Sequence, residues 1–208
     1  MAKCQIRGNM VIGIFGGIGS GKSLVLDILK NDYAAYVIEA DKKAHELYEI
    51  GEDIIISICS DKILDSNKSI NRKVLADLLY NDKELLAKVN LIVHPRVWER
   101  IEKEALEKQK EFSYVVVEAA ILPDKKYDIY DETWYIYSDE TTRRKRLKES
   151  RAYSDKQIDI IIEKQASEEE YCRFANRVIE NNSSPEQLKY RIAMAMEDIV
   201  EKKKSHLL

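Results

Sequence analysis

Val11-Ile12-Gly13-Ile14-Phe15-Gly16-Gly17-Ile18-Gly19-Ser20-Gly21-Lys22-Ser23-Leu24 is the stretch that decides the fold. It opens as an apolar run rich in β-branched side chains, the signature of a buried strand. The chain then turns through four glycines and enters a helix at Gly21-Lys22-Ser23-Leu24-Val25-Leu26. Gly16, Gly21, Lys22 and Ser23 match G-x-x-x-x-G-K-[ST], with the preceding strand and following helix that this motif requires. The residue types follow from the chemistry. Glycines let successive backbone N–H groups converge on phosphate oxygens, and the helix N-terminus adds a positive partial charge. Lys22 spans the β- and γ-phosphates of a bound nucleotide, and the Ser23 hydroxyl is placed to ligate Mg²⁺. Gly17, Ile18, Gly19, Ser20, Gly21, Lys22 and Ser23 are therefore the expected nucleotide cradle.

Working outward, a helix is predicted from Lys22 to about Lys30, then a second strand, Tyr36-Val37-Ile38-Glu39-Ala40-Asp41. In an open α/β sheet the carboxyl ends of the strands border the ligand crevice. On a continuing strand Glu39 and Asp41 would share a face; alternatively, Asp41 would be the N-cap of a helix over Lys42–Glu49. From Asp53 to Lys110 the pattern is mainly helical, with Asn71 a fair cap for Arg72–Leu79. His94-Pro95 is expected to break or start a helix within Glu84–Lys108. Such a block is longer than a crossover between strands needs; in a kinase it would carry the acceptor. Tyr114-Val115-Val116-Val117-Glu118 is the clearest buried strand; it resembles a Walker B strand, whose terminal acid approaches Mg²⁺, and the alternative is that Glu118 caps the next turn. Thr133–Tyr137 is a further strand. Asp139 caps a helix whose Arg143-Arg144-Lys145-Arg146, with Arg151 beyond, is either a solvated face or a cluster that neutralises phosphoryl charge. Ser154–Gln165 is amphipathic, with Ile158, Ile161 and Ile162 on one side. Arg177–Asn181 is the last strand, and a helix over Pro185–Lys204 closes the chain.

Composition narrows the function. Among 208 residues, 34 basic and 37 acidic side chains leave a formal charge of −3, which argues against a nucleic-acid binder held by bulk charge. Anionic ligands must then be gripped by local Lys and Arg clusters. Cys4, Cys59 and Cys172 form no C-x-x-C pair, so neither a disulfide framework nor a zinc site is indicated. A reducing cytoplasm is the expected setting. No apolar run reaches the ~18 residues of a membrane span, and Met1–Met10 reads as a short extension without a signal-peptide core.

The ordered combination of these segments resembles the dephospho-CoA kinase family. The likeness runs from Met10 to about Ile199 and rests on Ile14-Phe15-Gly16-Gly17-Ile18-Gly19-Ser20-Gly21-Lys22-Ser23, Val37-Ile38-Glu39-Ala40-Asp41, Asn71-Arg72-Lys73-Val74-Leu75 and His94-Pro95-x-Val97. It continues through Arg146-Leu147-Lys148-Glu149, Gln165 and Ala175-Asn176-Arg177-Val178-Ile179-Glu180-Asn181. The resemblance implies a three-layer α/β P-loop kinase with a mainly parallel sheet, a helical substrate-binding insertion (42–111) and a lid (140–172). It implies transfer of the γ-phosphoryl of ATP, with Mg²⁺, to the ribose 3′-hydroxyl of dephospho-CoA; the alternative is another small-metabolite or nucleoside-monophosphate kinase. By the same likeness Asp41 is the base at the acceptor hydroxyl, the catalytic set is Asp41, Lys22 and Arg146, and Asn181 lies near the adenine. The chain departs from the family pattern at Glu39 (an Asp there), at Glu118-Ala119-Ala120-Ile121-Leu122-Pro123-Asp124, at Asn176 and at Ser183. It also has Ser150 where an Arg is usual, with Arg151 adjacent, so the lid arginine is Arg146 or Arg151. No N-K-x-D guanine motif supports a GTPase: Asn67-Lys68-Ser69-Ile70 lacks the Asp.

Overall fold

The computed structural model describes residues 9–50, 52–123 and 129–206. The extension Met1–Gly8 and Asp124 fall outside them. The chain divides into two compact units, one of residues 1–38 and 104–208, the other of residues 39–103.

The first unit is built on a five-stranded sheet in the order β2-β3-β1-β4-β5. Its strands are β1 (Met10–Phe15), β2 (Tyr36–Glu39), β3 (Tyr114–Ala119), β4 (Glu132–Tyr137) and β5 (Arg177–Glu180). The β1–β3, β1–β4 and β4–β5 pairings are parallel. β1 is central, registered with Met10 opposite Tyr114 on one side and Ile12 opposite Glu132 on the other. A parallel sheet is covered on both faces, which is why β1 is buried at every position rather than alternating. On one face Met10, Ile12 and Ile14 join a core with Val25, Leu26 and Leu29 of α1 (Lys22–Tyr33) and Leu188, Ile192 and Met196 of α9 (Pro185–His206). On the other, Phe15 meets Phe174 edge-on with ring centroids 4.9 Å apart. There Tyr135 stacks on Tyr171 at 4.8 Å. Both partners lie on α8 (Glu168–Phe174), a short helix that sequence pattern alone did not signal. Helix, sheet and helix give the three layers expected of the sequence.

Between β4 and β5 lie α6 (Glu140–Arg151) and α7 (Asp155–Glu163) before α8. Each starts on a side-chain cap: Asp139 accepts from the Thr142 N–H at 2.8 Å, and Ser154 and Ser167 each form a capping box.

The second unit is helical, with α2 (Ala40–Ile50), α3 (Glu52–Cys59), a 3-10 turn (Asp61–Ile63), α4 (Arg72–Asn81) and the first part of α5 (Lys83–Lys108). Asn71 caps α4 by accepting from the Lys73 and Val74 N–H groups at 3.1 and 3.2 Å. The expected break at His94-Pro95 does not occur; α5 runs through Pro95. Proline at 95 leaves the Leu91 carbonyl without its helical donor. Leu91 is 75% exposed and Pro95 is exposed too, so the turn that lacks this bond lies on the solvent face of the helix. Among the described residues no helix is long and apolar enough to cross a membrane.

Candidate active site

The phosphate loop joins β1 to α1. Gly21 has φ 91°, a left-handed conformation that glycine adopts without cost, and it starts the helix as N-cap without a capping side chain. The Ser20 carbonyl accepts from Asn181 Nδ2 at 2.8 Å, with Arg146 Nη1 at 3.5 Å. In a trans peptide C=O and N–H point oppositely, so tying the Ser20 carbonyl to β5's end turns the Gly21 N–H to the other side of the loop. The N–H groups of Gly19, Gly21 and Ser23 find no partner among the described residues, and the Ser20 hydroxyl is buried without one. Unsatisfied donors beside the N-terminus of a twelve-residue helix form a cradle for an anion.

Lys22 lies back along this loop. Its Nζ donates to the Gly16 carbonyl at 2.8 Å and is 3.4 Å from Glu118 Oε1. Glu118, near the carboxyl end of β3, is 9% exposed. A buried carboxylate needs such a partner, and an arriving phosphate chain would draw the ammonium from one anion to another. Ser23 is exposed on the first turn of α1. A hydroxyl and a carboxylate are hard oxygen donors, and Mg²⁺ is usually held by one or two such groups plus substrate phosphates. The donor set fits the ion.

The basic helix α6 is divided between two roles. Arg144 faces solvent, paired with Glu140 at 2.7 Å and with Asp159. Arg146 points inward: its Nη2 donates to the Asn181 carbonyl at 2.8 Å and its Nη1 to Ser138 Oγ at 3.0 Å. Arg151 is exposed in the last turn. Asn181 itself is buried, and its amide sits against Gly21, where a Cβ would collide with it. Sequence reasoning missed two residues here, Arg143 and the role of Gln165. Arg143 Nε donates to the Ile18 carbonyl at 2.9 Å and its Nη2 to Gln165 Oε1 at 2.9 Å. The same Gln165 oxygen accepts from the Ile18 N–H at 3.0 Å. The signal was available in the spacing, because Arg143 and Arg146 are three apart and so lie on one side of α6, to one side of its buried Leu147, with Arg144 on the other.

A cavity of about 410 Å³ opens beside Arg143 and Gln165, with Tyr135, Tyr137 and Tyr171 in its wall. Burial pushes the Tyr135 and Tyr171 phenols up to about 12, so both stay neutral. Tyr171 donates to the Ala120 carbonyl at 2.8 Å.

In the second unit, the strand anticipated through Asp41 stops at Glu39, and α2 begins at Ala40. Ala is the strongest helix former and an acid in the first turn suits the helix dipole. Glu39 and Asp41 therefore do not share a strand face, and Asp41 lies inside the first turn rather than at the N-cap. Glu39 accepts from Lys42 at 2.6 Å, which raises the Lys42 pKa above its ordinary value. Asp41 is exposed.

Comparison with known proteins adds an independent finding. The family model for dephospho-CoA kinase (CoaE) matches residues 10–187. The chain is similar to a dephospho-CoA kinase of Staphylococcus aureus, 30% identical over 192 residues, covering 90% of this chain and 92% of that one. A Thermobifida fusca dephospho-CoA kinase is 33% identical over 192 residues, covering 90% and 95%. Among solved structures, TT1252 from Thermus thermophilus superposes with a TM-score of 0.76 at 27% identity, covering 91% of this chain and 97% of that one.

Proposed function

Because the chain belongs to the dephospho-CoA kinase family, we propose that its phosphate loop holds ATP for transfer of the γ-phosphoryl to the ribose 3′-hydroxyl of dephospho-CoA, giving CoA and ADP. The observation that carries the reading is the loop itself, where orphan N–H donors at Gly19, Gly21 and Ser23 stand beside Lys22. In this reading the loop from Gly17 to Ser23 wraps the phosphates, and Lys22 leaves Gly16 and Glu118 to meet the β- and γ-oxygens. Ser23 and Glu118 would hold Mg²⁺, which supplies charge neutralisation between the phosphates. Arg146 and Asn181 fix the Ser20–Gly21 peptide so that the donors need no rearrangement as charge develops.

Asp41 is the acceptor-side base. Its carboxylate takes the proton of the 3′-hydroxyl as that oxygen bonds to the γ-phosphorus and the bond to the ADP oxygen breaks. What supports this is the family likeness at Val37–Asp41 and the position of Asp41 in the turn that follows β2. Residues 42–111 hold the CoA portion, and 140–172 act as a lid that excludes water, the competing acceptor. The test is a coupled ADP-release assay with dephospho-CoA, with AMP and without acceptor. ADP release that depends on dephospho-CoA is the expected result; equal or faster release with AMP would overturn the assignment of acceptor.

A further inference from the structure

The residue that stands out once the loop is described is Arg143. Its neighbour Arg144 is neutralised by Glu140, Asp155 and Asp159. Among the described residues no carboxylate pairs with Arg143, whose hydrogen bonds go to one backbone carbonyl and one amide oxygen. A cation left without an anion beside a phosphate loop is short of a ligand, not of a structural partner.

Position says which part of the ligand. A Cβ placed on Gly17 would lie 2.7 Å from Arg143 Cζ and 2.9 Å from Gln165 Oε1, so the guanidinium rests directly on that glycine. Lys22 Nζ lies 3.5 Å from the Gly17 carbonyl oxygen and 2.8 Å from that of Gly16. Both cations therefore touch Gly17, Lys22 at its carbonyl and Arg143 over its Cα. In this loop type the lysine marks the β/γ end of the phosphate chain. Arg143 also keeps one nitrogen, Nη1, without a hydrogen bond among the described residues.

Gln165 makes the placement specific. Its single Oε1 accepts from both the Ile18 N–H and Arg143 Nη2. Gln165 follows α7, so loop, α6 and the α7–α8 connection are joined through one oxygen. Arg146 cannot serve the same purpose while its donors hold Ser138, Ser20 and Asn181.

We propose that Arg143 is the arginine that meets the transferring γ-phosphoryl group, that Gln165 is its positioning residue, and that Arg146 anchors the loop from behind. This rests on the reading of the loop as the ATP site. A planar guanidinium fits phosphate oxygens two at a time, and held on Gly17 it requires little reorganisation as negative charge redistributes in transfer.

The experiment compares wild type with Arg143→Ala, Arg143→Gln, Gln165→Ala and the Arg143→Ala/Gln165→Ala double variant, by steady-state transfer and by ADP calorimetry. Arg143→Ala should lower kcat by about 10²-fold, with ADP affinity within about twofold of wild type, because ADP has no γ-phosphoryl. Arg143→Gln keeps a planar donor for the Ile18 carbonyl but no charge, and should be as slow as Arg143→Ala. Gln165→Ala should lower kcat by about tenfold and add nothing in the Arg143→Ala background. A kcat for Arg143→Ala within about threefold of wild type overturns the proposal. So does recovery of kcat in Arg143→Gln, or a parallel fall in ADP affinity, since either marks a purely structural clasp. Failure of wild type to bind ADP is a separate outcome: it removes the nucleotide site itself and the proposal with it.

Discussion

The phosphate loop and the segment around Asp41 are assigned to two halves of one reaction, yet they are built in opposite ways. In the loop, backbone geometry carries the chemistry, and side chains such as Asn181, Arg146 and Gln165 serve to hold peptides in orientation. Around Asp41 the backbone is an ordinary first helical turn, and the assigned chemistry rests in a single exposed carboxylate. A site made of peptides is disturbed by changes anywhere in its supporting shell. A site whose chemistry rests in one carboxylate is disturbed most by replacing that carboxylate.

The largest effect that would sharpen this contrast is Lys22→Ala. It should lower transfer by at least ~10²–10³-fold while the protein stays folded by circular dichroism; near wild-type turnover would end the contrast at once. Next is Asp41→Asn, which preserves shape and hydrogen bonding but not the proton acceptor. It should lower kcat by about 10²-fold with ATP affinity unchanged by calorimetry, and Glu39→Gln should cost less. If Asp41→Asn weakens ATP binding as much as transfer, the two halves are not separable. A smaller effect distinguishes the two faces of α6. Arg146→Ala strips donors from buried carbonyls and should cost about 1–3 kcal/mol, or roughly 2–12 °C in Tm. Arg144→Ala, a surface ion-pair change, should stay within about 1 kcal/mol.

The smallest effect lies in acid. Hydrogen bonds from the Thr142 N–H and hydroxyl hold the Asp139 carboxyl below its ordinary 3.8. A depressed carboxyl stabilises the fold fully above its unfolded value and loses that contribution as pH falls through its folded one. Wild type should therefore lose more Tm than Asp139→Asn between about pH 5 and pH 2, while the two agree near pH 7, since Asn caps as well as Asp. Thermal unfolding across that range is the measurement.

The loop and its flanking elements were legible because they are local: apolar run, glycines and Lys22-Ser23 are contiguous, and each demands the others. The caps at Asn71 and Asp139 were readable for the same reason. The roles of Arg143 and Gln165 were not, because both are set by bonds to Ile18, more than a hundred positions away in the chain. Counting charges in Arg143–Arg151 treats the helix as a run, whereas the fold sorts it by side, with Arg143 and Arg146 on one side of Leu147 and Arg144 on the other. Pro95 misled in the other direction. A proline costs a helix least where its lost hydrogen bond falls on the solvent face, as it does at exposed Leu91.

The central place of β1 also bears on how this chain acquires its structure. β1 leaves the ribosome early, but its neighbours begin at Tyr114 and Glu132. Strand pairing across such separations must await loop closure and is slow. At synthesis rates of about 5–20 residues per second, an entirely apolar strand waits for seconds before either partner exists. The strand that leads into the phosphate loop thus stays unpaired longer than any other strand of the sheet.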